Sequence, residues 1–306
     1  MLSQRTLKKE IYAIGIGLHS GSKVKIVLKP APVDYGIKFV KVTAAGRTLI
    51  EACAANVIDT SYATTLGKDG EAIGTVEHLL AAFYGLGVDN ALVEVHGDEV
   101  PIMDGSAIPF VFLIKSAGIA RQPASKRFLV VREEMTVRDG DKFVTLAPGR
   151  TLTLSCSIEF KHPLIKRQVY DFTFSDIEFE HQISRARTFG FLREVEMLKA
   201  NGLARGGSLE NAIVLDNFGI VNDGGLRFAD EFVRHKILDC LGDISLLGMP
   251  LIARVTSHKS GHALNHQLVQ AVLARPAAWE IVVPEATRPA AAALDFDVPP
   301  LTVAVP

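Results

Sequence analysis

Residues 232–247 read FVRHKILDCLGDISLL, an apolar segment long enough for about four turns of helix. His235, Asp239 and Asp243 recur every four residues in it and therefore share one side of that helix. Side chains at this spacing have Cβ atoms about 5–6 Å apart, so His235 and Asp239 can bind one metal ion. Burying an imidazole and a carboxylate among aliphatic residues is costly unless something pairs with them. The stripe therefore predicts either a metal site or a hydrogen-bonded pair of side chains inside the core.

A second helix offers a further ligand and a base. A metal-dependent hydrolase needs a few protein ligands, an open coordination position for water and a nearby carboxylate. His78 is the candidate third ligand, and Glu77, about 100° around the helix from it, is the candidate base. The motifs H-E-x-x-H and H-x-x-E-H are absent, since glycine stands at position 74 and alanine at position 81. The alternative is an amphipathic first turn without a chemical role.

The third candidate is the loop SHKSGHALN, residues 257–265, which leads into a predicted helix. An imidazole at that helix start can act as a general acid, so His262 is the candidate, with Asp243 holding its other nitrogen. The alternative is a polar turn that Ser260 caps. Lys259 in this loop and Lys236 in the striped helix are candidates for substrate phosphates or simply solvated side chains.

Apolar patterns predict strands and further helices in both halves of the chain. The first half has predicted strands at 23–28, 36–40 and 91–95 and predicted helices at 75–84 and 109–117. The second half has predicted strands at 128–131, 142–146, 151–160, 212–215 and 251–255, and helices at 191–200 and 263–274 besides the striped one. A polar stretch with a proline, residues 121–127, is the predicted linker, and residues 284–306 form a tail rich in proline and alanine.

The two halves share a short pattern. The pentapeptides at 76–80 (VEHLL) and 233–237 (VRHKI) each place a histidine on a helix that precedes a predicted strand. We therefore predict an α+β protein with two domains of related topology, residues 1–120 and 128–283. Each is an α/β sandwich in which a β-sheet packs on two helices, and the site lies between the domains.

Composition narrows the classes of protein. A length of 306 residues suits about two domains, and a net charge of −1 argues against a nucleic-acid binder. Cys53, Cys156 and Cys240 are far apart and give no disulfide framework, which favours a reducing cytoplasm. The N-terminus has no secretory h-region, and no uncharged apolar run approaches 18 residues. We expect a cytoplasmic protein without stable membrane insertion.

Six motifs, in this order, resemble the family of UDP-3-O-acyl-N-acetylglucosamine deacetylases, the zinc amidases that commit bacterial cells to lipid A synthesis. They are GIGLHSG (15–21), TVEHLLAA (75–82), PIMDGSA (101–107), SRARTFGF (184–191), HKILDCLGD (235–243) and SHKSGHALN (257–265). The likeness runs from Arg5 to about Glu280. It implies hydrolysis of the acetamide of UDP-3-O-(3-hydroxyacyl)-N-acetylglucosamine to a free amine and acetate. The implied partner is this UDP-linked acylated amino sugar, and we expect a monomer.

The resemblance also implies roles for particular residues. The zinc ligands fall on His78, His235 and Asp239, and ferrous iron can take the same site in cells. The general base falls on Glu77, the catalytic histidine on His262 with Asp243 behind it, and the residue that steadies the oxyanion on Thr188. Residues around the sugar and UDP match Phe189, Lys236, Lys259 and Phe160, with Phe160 stacking on uracil.

The resemblance further implies a small inserted sheet in the first domain and a β-α-β insert in the second. The insert, residues 190–216, forms a hydrophobic passage for the acyl chain, and the residues expected to line it are Phe191, Val195, Leu198, Leu203 and Val214.

Two other classes of protein fit parts of the pattern. Two histidines and a carboxylate also suit Fe(II) oxygenases, but those usually mount their ligands on a β-barrel rather than on helices beside a base. A nucleotide-sugar binding protein with a structural metal is the second alternative. Structural zinc sites are closed and rely on cysteine, and no cysteine here neighbours His78 or His235 in a ligand-like motif.

Overall fold

A computed structural model of the chain describes residues 2–284. The predicted tail therefore lies outside the described residues, apart from Pro284. The first half contains β1 (Ser3–Leu7), β2 (Ile11–Ile16), β3 (Lys23–Pro30), β4 (Ile37–Thr43), β5 (Gly46–Glu51), β6 (Val57–Asp59), β7 (Thr65–Lys68), β8 (Glu71–Ile73), α1 (Glu77–Gly85), β9 (Ala91–His96), α2 (Ile108–Ala117) and β10 (Ile119–Ser125). The second half contains β11 (Phe128–Val131), β12 (Met135–Asp139), β13 (Lys142–Ala147), β14 (Thr153–Phe160), β15 (Lys166–Thr173), α3 (Asp176–Glu178), β16 (Phe189–Phe191), α4 (Leu192–Ala200), β17 (Ile213–Leu215), α5 (Glu231–Ile244), β18 (Leu251–Ile252), β19 (Arg254–His258), α6 (His262–Leu273) and β20 (Trp279–Val282).

The two largest sheets have the same strand order. One runs β2-β3-β9-β4-β5 and the other β12-β13-β19-β14-β15. In each sheet the central strand is parallel to the third strand in sequence, and all other neighbours are antiparallel. Each central strand, β9 or β19, comes after a helix that carries one of the candidate histidines. This is the α+β architecture of paired, related units that the sequence predicts.

Helices α1, α2, α5 and α6 lie between the two large sheets. Helix α1 packs on α2 and α5, while α2 packs on β2. Helix α5 packs on α6 and β14, and α6 packs on β12 and β13. A single cluster of buried apolar side chains joins both halves. The burial pattern of the strands explains why the helices pack on the sheets. In β14 buried and less buried residues alternate, so one face of the sheet covers the helices.

Helices α1 and α5 come closest at one glycine. A Cβ on Gly242 of α5 would lie 2.2 Å from the carbonyl oxygen of Glu77, the first residue of α1. Only glycine admits that approach, because any larger side chain would collide with backbone. The contact brings the N-terminal turn of α1 against the polar stripe of α5.

Smaller elements are added to each half. Strands β6, β7 and β8 form a three-stranded sheet in the first half. In the second half β16, α4 and β17 form a β-α-β unit whose two strands are parallel. Three 3₁₀-helices (Ala54–Asn56, Ser245–Leu247 and Pro276–Ala278) and one π-helical turn (Phe179–Ile183) complete the described structure.

Two segments differ from their sequence-based description. The predicted strand at 251–255 is two strands: β18 pairs with β11, and β19 belongs to the large second sheet. The chain changes sheets at Ala253, and a short apolar run does not indicate which sheet it joins. Most of the predicted linker, 121–127, lies in β10, which pairs antiparallel with β1. The division into domains at these residues stays a prediction.

Within residues 2–284, none of the helices has both the length and the apolar character that crossing a bilayer requires.

Candidate active site

Three buried side chains converge where α1 meets α5. His78, His235 and Asp239 each offer a ligand atom, and these atoms all lie within 4.8 Å of one another. Asp239 Oδ1 is 3.2 Å from His235 Nε2 and 3.5 Å from His78 Nε2. Ligand atoms of a tetrahedral zinc ion with bonds of 2.0–2.1 Å are about 3.3 Å apart, so this spacing fits such an ion.

The donor atoms are free to bind a metal. Asp239 Oδ1 is buried without a hydrogen-bond partner among the described residues. His235 donates its Nδ1–H to the carbonyl oxygen of Ala186 at 3.1 Å, which leaves its Nε2 as the unprotonated nitrogen. A cation bound at this position would give the buried Asp239 Oδ1, which faces two imidazoles and accepts from no donor, the partner it lacks, and these residues therefore fit a divalent metal ion.

The electrostatics keep the triad in its metal-binding form. Burial lowers the pKa of His235 to about 3, so the imidazole is neutral at physiological pH. Burial by itself raises the pKa of Asp239, but the neighbouring His235 and Lys236 hold it well below its usual range. Lys236 Nζ lies 2.9 Å from Asp239 Oδ2 and occupies the oxygen that does not face the histidines. Lys236 thus balances the charge of the carboxylate.

Glu77 lies next to the triad as the first residue of α1. Its side chain is buried, and burial raises its pKa above the ordinary range, although His262 and His78 oppose this shift. Its Oε2 accepts a hydrogen bond of 3.0 Å from the backbone N–H of Thr64. A carboxylate with a raised pKa beside a metal-binding triad has the properties of a general base.

His262 and Asp243 form a second hydrogen-bonded unit. His262 begins α6, and its Nδ1 lies 2.9 Å from Asp243 Oδ2. Burial lowers the pKa of His262, but the charge and hydrogen bond of Asp243 outweigh burial and raise it to about 10. His262 is therefore a protonated imidazolium at neutral pH, and its Nε2 is left to donate a proton elsewhere.

Thr188 is held from both halves of the chain. Its N–H donates to the carbonyl oxygen of Gly105 at 2.8 Å, and its own carbonyl accepts from the N–H of Ile213 at 2.8 Å. Gly105 has φ +83°, and a Cβ there would lie 2.1 Å from the carbonyl oxygen of Asn211. The turn PIMDGSA thus anchors the segment that carries Thr188.

The preceding residue strengthens that anchor. Arg187 Nε lies 2.9 Å from Oε1 of Glu231, a carboxylate with no exposed surface. The backbone N–H of Arg187 donates to the same oxygen at 3.0 Å. Such paired, charge-assisted bonds fix the backbone at Thr188.

The residues predicted to contact the sugar and UDP fall into two places. Phe189 packs edge-on against Phe160, with ring centroids 5.7 Å apart, and Lys236 Nζ lies 5.7 Å from its centroid. Phe160 and Phe191 border a cavity of about 620 Å³ beside the β-α-β unit. Lys259 is farther out, where its ammonium pairs with Asp141 and Glu159 at 2.8 and 2.9 Å.

An apolar cavity of about 690 Å³ opens beside Thr188. Three of the five predicted passage residues line it: Val195, Leu198 and Val214. Phe191 instead borders the cavity next to Phe160, and Leu203 borders a third cavity of about 360 Å³.

Sequence reasoning missed several residues around these groups. Leu18, His19 and Tyr62 of the first half line the apolar cavity. Asn265 donates to Asp243 Oδ2 at 2.8 Å, which its position three residues after His262 on one helix could have indicated. Thr64 contacts both Glu77 and Asp243, and nothing in the local pattern points to it.

Comparison with known proteins places these features in a family. A family model described as LpxC, UDP-3-O-acyl N-acetylglycosamine deacetylase, matches residues 4–274. That span includes the three residues of the triad and also Glu77, Thr188, Asp243 and His262.

Curated relatives agree with the family match. A protein of Myxococcus xanthus (strain DK1622) named UDP-3-O-acyl-N-acetylglucosamine deacetylase is 57% identical over 280 residues, which are 92% of this chain and 89% of the relative. Proteins of the same name from Saccharophagus degradans and Marinobacter nauticus are each 52% identical, over 92% and 94% of this chain and 94% and 96% of their own length. The similarity therefore extends through both halves.

Proposed function

The chain belongs to the LpxC family of UDP-3-O-acyl N-acetylglycosamine deacetylases, and on that premise we propose that it hydrolyses the acetamide of UDP-3-O-(3-hydroxyacyl)-N-acetylglucosamine. The products are acetate and the free amine, and the reaction is the committed step of lipid A biosynthesis. The observation that carries the proposal is the convergence of His78, His235 and Asp239 beside a buried carboxylate and a protonated imidazole.

His78, His235 and Asp239 would hold the catalytic metal, which we propose is zinc, with ferrous iron able to replace it in cells. A divalent ion bound there supplies Lewis-acid polarisation of the amide carbonyl and lowers the pKa of a bound water. The chain's own residues then handle the protons and the developing charge.

Glu77 accepts a proton from the water that attacks the acetamide carbon. The Thr188 hydroxyl donates a hydrogen bond to the oxyanion, and a preorganised donor of this kind is typically worth about 3–4 kcal/mol. His262, protonated and oriented by Asp243, gives its Nε2 proton to the departing amine. His262 starts as the protonated acid because Asp243 raises its pKa. Glu77 has to be ionised to act as the base: burial raises its pKa and so makes the carboxylate a stronger base, while His262 and His78 favour its ionised form.

The remaining residues are proposed to bind the substrate. The apolar cavity lined by Val195, Leu198 and Val214 suits a 3-O-acyl chain, and its volume lies within the usual range for ligand pockets. The cavity bordered by Phe160 and Phe191 suits the nucleotide, with Phe160 stacking on uracil. Phe189 and Lys236 lie between these cavities and the triad, next to the sugar in this proposal. Leu203 is the passage residue with least support, since it borders the third cavity.

Lys259 is proposed to meet the diphosphate. In the structure its ammonium pairs with Asp141 and Glu159, so a bound diphosphate has to compete with two carboxylates. Both ion pairs are partly exposed to solvent, so replacing them with an ion pair to the diphosphate costs little free energy.

We also propose that the enzyme acts in the cytoplasm as a monomer. Its three cysteines are unpaired, as a reducing compartment requires. Light scattering of the purified protein tests the monomer.

The decisive experiment incubates the purified protein with UDP-3-O-(3-hydroxyacyl)-N-acetylglucosamine and measures acetate and free amine. We expect stoichiometric release of both, loss of release after treatment with a chelator, and recovery when Zn²⁺ is added back. Parallel recovery with Fe²⁺ under anaerobic conditions identifies which ions the site accepts. Absence of acetate from metal-loaded protein would contradict the proposed reaction.

A further inference from the structure

Thr64 is hydrogen-bonded both to Glu77, the proposed base, and to Asp243, the carboxylate behind the proposed acid His262. It lies directly before β7, is 1% exposed, and belongs to the same half of the chain as Glu77. Its backbone N–H donates to Glu77 Oε2 at 3.0 Å. Its hydroxyl Oγ1 lies 2.6 Å from Oδ1 of Asp243, a residue 179 positions farther along the chain.

The hydroxyl completes the hydrogen bonding of Asp243. Oδ2 of this carboxylate accepts from His262 Nδ1–H and from the side-chain amide of Asn265, at 2.9 and 2.8 Å. Oδ1 accepts from Thr64, and Asp243 is only 1% exposed. Without that donor, a buried carboxylate oxygen would lose its only protein partner among the described residues, and the plane of the carboxylate would no longer be fixed.

The backbone of Thr64 is itself held in place. Its carbonyl oxygen accepts a hydrogen bond of 3.2 Å from the N–H of Val76, the residue before α1. Two hydrogen bonds therefore tie the residue before β7 to the start of α1, one to the Glu77 carboxylate and one to the backbone of Val76. A shift of Thr64 would move the base and the carboxylate behind the acid at once.

We propose that Thr64 is a positioning residue for the deacetylation, which sets the relative geometry of Glu77 and His262 through its N–H and its hydroxyl. Base and acid lie on elements from different halves of the chain, and they must act on the same tetrahedral centre. Thr64 bonds to the base directly. It reaches the acid through Asp243, and its Oγ1 also lies 3.5 Å from His262 Nδ1. The inference rests on the proposed function, because it assigns these two residues the proton transfers.

The test compares Thr64→Val, which keeps the shape and the N–H but removes the hydroxyl, with Thr64→Ser, which keeps both hydrogen-bonding groups. We expect Thr64→Val to lower kcat by about tenfold to a hundredfold, since misplaced catalytic groups cost rates of this order. KM should stay within about twofold, because Thr64 does not line the apolar cavity. Thr64→Ser should recover kcat to within about threefold of the unmodified protein.

A double-mutant cycle separates positioning from general stability. In an Asp243→Ala background Thr64→Val should lower kcat by less than about threefold, since the side chain that the Thr64 hydroxyl orients is gone. Equal fold-losses in both backgrounds would overturn the proposal, as would a Thr64→Val variant with unchanged kcat.

Thr6→Val is the matched control. Thr6 lies in β1, outside the site, and is also a buried threonine. Its hydroxyl oxygen accepts a hydrogen bond of 2.9 Å from the N–H of Ala31. We expect it to lower the melting temperature while leaving kcat unchanged. The unmodified protein is assayed alongside: if it releases no acetate, the proposed function fails, whereas an active protein with an equally active Thr64→Val variant refutes only the positioning role.

Discussion

At the scale of single residues, Asp243 determines the protonation state of His262. The carboxylate raises the pKa of the imidazole to about 10, so the acid form, which we propose protonates the leaving amine, is populated below that value. Activity should therefore fall on the alkaline side as His262 loses its proton.

Replacing Asp243 with asparagine removes the charge and keeps the size of the side chain. The pKa of His262 should fall, so the alkaline limb of the profile of kcat/KM against pH should move to lower pH by about one unit or more. Profiles of the unmodified and Asp243→Asn proteins measure this shift. The acidic limb, which depends on ionised Glu77, serves as the internal control. An alkaline limb at the same pH in both proteins would show that another group is the acid.

At the scale of helices and strands, the packing of α1 against α5 determines the geometry of the site. Gly242 lets α5 approach α1 so closely that a Cβ would lie 2.2 Å from the Glu77 carbonyl oxygen. In an isolated helix, replacing glycine with alanine is favourable by about 1 kcal/mol. Overpacking against backbone reverses that sign, at a typical cost of about 1–3 kcal/mol.

We therefore expect Gly242→Ala to lower the free energy of unfolding and to weaken metal retention, because separating the helices separates His78 from His235. Urea unfolding and metal content after dialysis measure the two effects. Gly224→Ala is the control, since a Cβ there meets nothing within 4 Å, and its stability should change by less than about 0.5 kcal/mol. A Gly242→Ala protein as stable as the unmodified one would refute the close-packing argument.

Periodicity predicted the helices well, because their apolar stripes repeat over several turns. The striped segment 232–247 is α5 (Glu231–Ile244) followed by a 3₁₀ turn, and the predicted helix 263–274 is α6 (His262–Leu273). Short strands were harder, since pairing partners are not encoded locally, and β18 and β19 were merged for that reason.

Sequence predicts part of the convergence of His78, His235 and Asp239, because two of these residues lie four apart on one helix. That they bind the metal stays a prediction. Thr64 could not be predicted, since its bond to Asp243 joins residues 179 positions apart and depends on how the residue before β7 meets α5. Likewise Leu18 and Tyr62 reach the apolar cavity only because loops of the first half pack beside the β-α-β unit.

At the scale of the whole molecule, the apolar core contains none of the candidate metal ligands. One apolar cluster spans both halves and contains side chains from the two large sheets and the helices between them. Burial of that size supplies most of the folding free energy. Without a metal, His235 is neutral and Asp239 keeps its bond to Lys236, so the buried charge stays paired.

We therefore expect the metal-free protein to remain folded. Its far-UV circular dichroism should match that of the metal-loaded protein, and its melting temperature should fall by only the amount that metal binding contributes. Calorimetry with and without a chelator measures this difference. Cooperative unfolding on chelation at 25 °C would instead indicate a structural metal, as in small zinc domains.

The two large sheets share a strand order, but the helices that precede their central strands do not supply the same groups to the site. Superposing the histidines of α1 and α5 pairs Glu77 with Arg234, and Ala82 with Asp239. Two identical copies of either unit, joined around a twofold axis, would bring two imidazoles together but would lack either the acidic ligand or the base. Amide cleavage at this site would therefore need both halves in one molecule, since the first contributes the candidate base Glu77 and the second the carboxylate ligand Asp239.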